Sequence, residues 1–175
     1  MMQAGDIIGV MGVSRFSNAV TWLSGDGLIS HVAMVVCTEP VPLIIEAVPD
    51  GVHTIPLDQA IQAHPRVFLM KALNLTDAER KLLVRAACKY SALGYSYLRC
   101  GLVGLDQLSG TEVFTKYFAK HLDPMCSFLV AEPYGELGKD FGRGAEVVEP
   151  NNVLRFAQTH PKFFEVLKLK DETDV

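Results

Sequence analysis

The stretch Asp123-Pro124-Met125-Cys126-Ser127-Phe128-Leu129-Val130 decides how this chain is read. A proline leads into a cysteine that opens an apolar, helix-like run, so the thiol stands at an expected helix N-terminus. Backbone N–H groups there lack intrahelical partners, and the helix dipole favours a thiolate. Working back along the chain, Ser30-His31-Val32-Ala33-Met34-Val35-Val36 puts a histidine at the head of a β-branched run that reads as a buried strand. A thiol on a helix start beside an imidazole on a rigid strand is the pairing that cysteine hydrolases use, the ring completing the ion pair and later protonating a leaving group. Chain order does not matter to such a site, because geometry and roles define it.

The 175 residues are 49% apolar and 21% charged, which suits one globular core and a single α+β domain over 1–175. The net charge is −4 and the basic residues are scattered, which argues against a nucleic-acid partner. Lys168 and Lys170 lie close together, but Asp171 and Glu172 follow at once. The N-terminal residues Met1 to Asp6 lack a signal peptide's basic and apolar regions, and no apolar run is long enough to span a membrane. Cytoplasm is therefore the default expectation, one that a phage-encoded or delivered protein would share. Cys37, Cys88, Cys100 and Cys126 show no CxxC spacing, so free thiols are expected, with no metal and no cofactor. Nothing in the sequence indicates an oligomeric state.

Outward from the two key stretches, Gly5 to Met11 reads as a first strand, and Ser14 caps a short helix over Arg15 to Leu23. Ser24 to Gly27 is a loop. Leu43 to Val48 returns as the second half of a hairpin with the histidine strand. A short extended piece covers Val52 to Leu57, a helical turn Asp58 to Ala63, and a strand Arg66 to Lys71. Thr76-Asp77-Ala78-Glu79 fits a capping box before a helix whose apolar face is Leu82, Leu83, Ala86, Ala87 and Tyr90, with Gly94 as its expected stop. Residues 95–122 are mixed, with a helix expected over Glu112 to His121. The cysteine helix should run from about residue 125 towards Leu137, bent or interrupted at Pro133. Pro150 and Asn151 open a short helix, and Phe163 to Lys170 forms a closing strand.

Among the cysteines, only Cys126 combines a preceding proline with a helix start; Cys37 and Cys88 read as structural. His31 competes with His53 past a turn, with His64 and His160 before prolines in apparent loops, and with His121 near the cysteine. Of these, only His31 heads a strong strand. Glu46 lies inside Ile44-Ile45-Glu46-Ala47-Val48, where a carboxylate needs an explanation: it either faces solvent or accepts the imidazole N–H of His31 across the hairpin. Asp6 and Asp50 sit in turns, where Asp is ordinary. Tyr95 in Gly94-Tyr95-Ser96-Tyr97 is a core aromatic or an oxyanion donor, and the Cys126 backbone N–H is the more secure donor. The glycines between Gly138 and Gly144 make no phosphate loop, having neither a preceding strand nor a following GK[ST].

These residues resemble the permuted papain-like amidases and peptidases of the YiiX/YaeF type, circularly permuted relatives of the NlpC-type cell-wall peptidases. The resemblance runs in order through Gly5-Asp6-Ile7-Ile8, Ser30 to Val35, Ile45-Glu46-Ala47-Val48 with Gly51-Val52, Gly94 to Tyr97, Cys126 to Val130, and Glu149-Pro150-Asn151-Asn152-Val153-Leu154. It implies a papain-like core in which an antiparallel sheet packs against helices, with the nucleophile at a helix N-terminus. It also implies that Cys126 is the nucleophile, His31 the base and Glu46 the orienting acid. Phe128, where a polar or acidic residue is expected, and Pro133 depart from the pattern.

The expected activity is therefore cleavage of an amide through a thioester acyl-enzyme. Its substrate would be a peptidoglycan or other peptide, an isopeptide or a lipid-linked amide. Two alternatives use the same fold: an acyltransferase or thioesterase resolving the same acyl-enzyme differently, and a catalytically silent binding module.

Overall fold

The computed structural model describes residues 1–12, 28–91, 93–94, 96–111, 113 and 124–172, apart from the side chains at 97, 99, 100, 107 and 108. Six strands form one antiparallel sheet: β1 (Ile7–Met11), β2 (His31–Cys37), β3 (Leu43–Val48), β4 (Gly51–Pro56), β5 (Arg66–Ala72) and β6 (Phe164–Asp171). Their order across the sheet is β4-β3-β2-β1-β5-β6. Among the described residues five helices accompany them: α1 (Leu57–Ala63), α2 (Asp77–Cys88), α3 (Tyr97–Ser109), α4 (Cys126–Glu136) and α5 (Pro150–Thr159). The result is an α+β fold.

Both faces of the central strands are covered, which is why they read as continuous apolar runs and not as alternating ones. Ile7, Val32, Met34, Ile45, Ala47 and Met70 pack with Leu83 of α2, Leu129 and Val130 of α4, and Leu154 of α5. On the opposite face Ile8, Val10, Ala33, Val35, Ile44, Val67 and Leu69 meet Leu57 and Ala60 of α1. A Cβ at Gly9 of β1 would lie 2.8 Å from Ile29 Cδ1 and 3.1 Å from Met70 Cε, so a larger residue there must push these side-chain ends aside.

Asp6 is buried and structural, unlike an ordinary turn aspartate. Its Oδ1 accepts the Ala72 N–H at 3.1 Å and Arg80 Nη1 at 3.2 Å, and its Oδ2 accepts the Gln3 N–H at 2.8 Å. Arg80 also donates to the Ala4 and Ala72 carbonyls, and Tyr134 Oη of α4 donates to the Gly5 carbonyl at 2.7 Å. Gly5 itself sits at φ +87°, with Leu83 Cδ1 2.9 Å from where a Cβ would be. The turn into β1 is thus fastened to α2, β5 and α4 together.

Several local expectations need correction. The capping box at Thr76 and Glu79 forms, but α2 ends at Cys88 and not near Gly94. Lys89, Tyr90, Ser91 and Leu93 then each donate to the carbonyl three residues back, so the helix unwinds through tight turns before any glycine is reached. Pro133 does not interrupt α4, where Leu129, Val130 and Ala131 are buried and tertiary packing offsets the lost backbone bond. Helix α3 was not expected: Gly101 and Gly104 dilute its helical signal, yet Leu102, Val103 and Asp106 line a buried face. The expected helix over Arg15 to Leu23 with its Ser14 cap, the loop over Ser24 to Gly27, and nearly all of the helix expected over Glu112 to His121 lie outside the described residues.

Candidate active site

Cys126 is the first residue of α4, with Met125 in extended conformation as N-cap and no side chain capping the helix. The helix start is held from outside: Ser127 Oγ donates to the Val148 carbonyl at 2.6 Å. Its unpaired N–H groups and dipole bear on a thiol that is only 6% exposed.

His31 opens β2 at the end of the sheet, and the chain leading to it is fixed on both sides. The Ile29 N–H donates to Asn151 Oδ1 of α5 at 3.2 Å, the Gly12 N–H donates to Ser30 Oγ at 2.8 Å, and the Ser30 N–H donates to the Val10 carbonyl at 2.9 Å. Asn151 and Ser127 are therefore supporting residues that sequence reasoning did not assign. Only the place of Asn151 after the Pro150 helix start, and that of Ser127 beside the thiol, marked them.

The structure brings Cys126, His31 and Glu46 together. Glu46 Oε2 lies 2.8 Å from His31 Nε2, with 17% of the imidazole and 12% of the carboxylate side chain exposed. The hydrogen bond between His31 and Cys126 therefore falls to the other ring nitrogen. His31 sits between acid and thiol.

The electrostatics follow from this chain of contacts. Burial alone would push the His31 pKa down, but the charge and hydrogen bond of Cys126, then those of Glu46, raise it to about 10. Burial would push the Cys126 thiol up. The charge and hydrogen bond of His31, with the Val32 and Ser127 backbone groups, bring it below its ordinary value instead. Glu46 is likewise pushed up by burial and brought below its usual range by His31, with smaller contributions from the charges of His64 and His53. Both shifts favour the thiolate–imidazolium pair, the form in which a cysteine is nucleophilic.

The other candidates fall elsewhere. Cys37 is half-buried and donates to the Glu39 carbonyl, and Cys88 is exposed with its thiol pKa raised by burial of the sulfur. His53 pairs opposite Glu46 in the β3–β4 register but is largely exposed and bound to Asp50. His160 stacks on Phe156 at 3.9 Å. Phe128 packs edge-on against Tyr90. Tyr95 and His121 lie outside the described residues. His64 lies, as read, in the short link between α1 and β5, where its extended backbone makes it the C-cap of α1.

No protein-family model matches the chain, and neither does any curated protein sequence. Among solved structures the chain is similar to the crystal structure of the metalloprotein YiiX from Escherichia coli O157:H7, a DUF1105 protein. The two share 26% identity over 81% of this chain and 70% of that one, with a TM-score of 0.60. The likeness is of YiiX type. Metal binding is said of that protein; here the described residues contain no group of three or more His, Cys, Asp or Glu arranged to hold a metal ion. Both nitrogens of His31 are already engaged, one by Glu46 and one by Cys126, so a resident metal does not fit these residues as they stand. No helix among the described residues is long and apolar enough to cross a membrane.

Proposed function

We propose that this chain is a cysteine hydrolase of the permuted papain-like kind, cleaving an amide bond through a thioester. One observation carries the reading: a thiol at the first turn of a helix meets an imidazole whose far nitrogen is bound to a partly buried carboxylate. The Cys126 thiolate attacks the substrate carbonyl, and its sulfur–carbon bond forms as the carbonyl π electrons move to oxygen. That oxyanion is met by the Cys126 backbone N–H, which as the first of the helix has no intrahelical carbonyl to serve. The imidazolium of His31 gives its proton to the amine nitrogen, the carbon–nitrogen bond breaks, and the amine leaves. The neutral ring then takes a proton from water, hydroxide adds to the thioester, and the thiolate departs with the acid as product. Glu46 fixes the orientation of His31 and stabilises the imidazolium throughout.

The substrate class is an amide: a cell-wall or other peptide, an isopeptide or a lipid-linked amide. Profiling with thiol-reactive acyl and peptide probes on native protein and on Cys126→Ala tests the reading. Probe capture that disappears in the variant supports it. Equal capture by both proteins, on Cys37, Cys88 or Cys100, overturns it.

A further inference from the structure

A hollow lined by aromatic rings lies at the end of the sheet away from His31. His31 is level with Val10 of β1 and so with Val67 of β5. The hollow begins at Ala72, five residues further along β5 and paired with Phe164 of β6. At about 3.4 Å per residue that is roughly 17 Å along the sheet. Tyr134, which also lines it, stands eight residues beyond Cys126 on α4, about 12 Å along the helix axis. A small molecule lodged there is out of reach of the thiol.

The chain builds this hollow where α4 ends. The Gly138 N–H donates to the Gly135 carbonyl and the Lys139 N–H to the Tyr134 carbonyl, with Gly138 at φ +68°. Phe141 is thereby returned to the core, where its ring centroid lies 5.3 Å from that of Tyr134, 5.5 Å from Phe156 and 6.0 Å from Phe164. With Phe163 and Leu75 these rings wall a cavity of about 330 Å³. An apolar cavity of about 150 Å³ holds a benzene molecule, so this one has room for an aromatic ring with a short side chain. Its walls offer such a ring tilted and edge-on aromatic contacts.

The lining charges leave one sign over. Among the described residues that line the cavity, Lys139 is the one cation and Asp140 the one anion. Lys139 is already engaged, because its ammonium pairs with Glu79 in the first turn of α2. Asp140 is exposed, accepts the nearby Gly142 N–H at 2.9 Å, and pairs with no cation among the described residues. The Tyr134 hydroxyl donates to the Gly5 carbonyl and is engaged as well. What remains is a ring-walled hollow with an unneutralised carboxylate. Its complement is an apolar ring that carries a positive charge.

We propose that this hollow is a binding site for a small aromatic amine, with the ring among the aromatic walls and the ammonium at Asp140. The site is separate from the candidate active site and does not rest on the hydrolase reading. Three probes with one ring and different charge test it: 2-phenylethylamine, 2-phenylethanol and 3-phenylpropionate. Each is titrated into the full chain near neutral pH, with the ring resonances of Phe141, Phe156 and Phe163 followed by NMR. The amine should give saturable shifts with a Kd of about 1 mM or below. The alcohol should bind about two- to fivefold more weakly, the factor an exposed charge pair contributes, and the carboxylate more weakly still.

Asp140→Asn, a change at an exposed residue, should remove the amine's advantage and leave the alcohol's affinity as it was. Phe163→Ala, at a ring 48% exposed, should weaken amine and alcohol alike, because both lose the same apolar wall. No saturable shift of these rings by about 10 mM amine overturns the proposal. So does a carboxylate that binds as well as the amine, or an Asp140→Asn protein that still prefers the amine to the alcohol.

Discussion

Glu46→Gln is the substitution that most directly questions the site, because it removes a charge while keeping an acceptor of the same size. In the native protein the His31 imidazolium donates to Glu46 Oε2 across 2.8 Å, in a place where both side chains are largely buried. A hydrogen bond to a charged group contributes about 1.5–3 kcal/mol and one to a neutral amide about 0.5–1.5 kcal/mol, so roughly 1–1.5 kcal/mol of imidazolium stabilisation is lost. That is close to one pKa unit. The sign differs between the two limbs of the pair. On the alkaline side the imidazolium loses its proton, so its midpoint should fall from about 10 towards about 9. On the acid side the thiol titrates with His31 protonated both before and after, so that midpoint should barely move. The window in which thiolate and imidazolium coexist therefore narrows from the alkaline end only.

NMR titration of the His31 ring reads the first midpoint, and the pH dependence of Cys126 alkylation reads the second; neither requires a substrate. Glu46→Ala, which also frees the ring to rotate, should lower the His31 midpoint at least as far. If Glu46→Gln shifts it by less than about 0.3 in a variant with native circular dichroism, the carboxylate is part of the sheet and not of the site. With a working substrate, turnover in Glu46→Gln should fall by about tenfold, the factor set by one pKa unit of imidazolium stability.

Other outcomes follow from the same contacts. Brief iodoacetamide treatment near neutral pH with peptide mapping should modify Cys126 ahead of Cys37 and Cys88, since its thiol is held below the ordinary value by an imidazolium. Asp6→Ala leaves the buried Arg80 without its counter-charge and the Gln3 and Ala72 N–H groups without their acceptor, and should cost about 3–5 kcal/mol in denaturant unfolding; a loss under about 1 kcal/mol would refute the structural role given to Asp6. Gly9→Ala must displace Ile29, two residues before His31, and should cost about 1–3 kcal/mol while slowing Cys126 alkylation. In thermal unfolding, the His31 contribution to stability is complete below 6.5 and is lost as pH rises towards about 10. The Cys126 contribution is complete above 9.0 and is lost as pH falls. Where the folded pair is thiolate and imidazolium and the unfolded pair is thiol and neutral imidazole, each holds one proton, so the two slopes cancel.

What could be read in the sequence and what could not divide along a physical line. Cys126, His31 and Glu46 each contradict their local surroundings: a thiol after a proline at a helix start, an imidazole heading a β-branched run, and a carboxylate inside an apolar strand. Such contradictions are visible within a few residues, and the structure brings all three side chains to one place. Asp6 and Asn151 contradict nothing locally. An aspartate in a turn and an asparagine after a proline at a helix start are each ordinary. Their roles arise only from partners far along the chain: Arg80 for Asp6 and Ile29 for Asn151. The same division explains the helices. The capping box announces the start of α2 within four residues, whereas α3 and the unbroken run of α4 through Pro133 depend on burial that overrides local propensity. The residues proposed to react are legible because reactivity requires an unusual local setting, and those that hold them in place are not, because holding requires only an ordinary residue at the right distance in the fold.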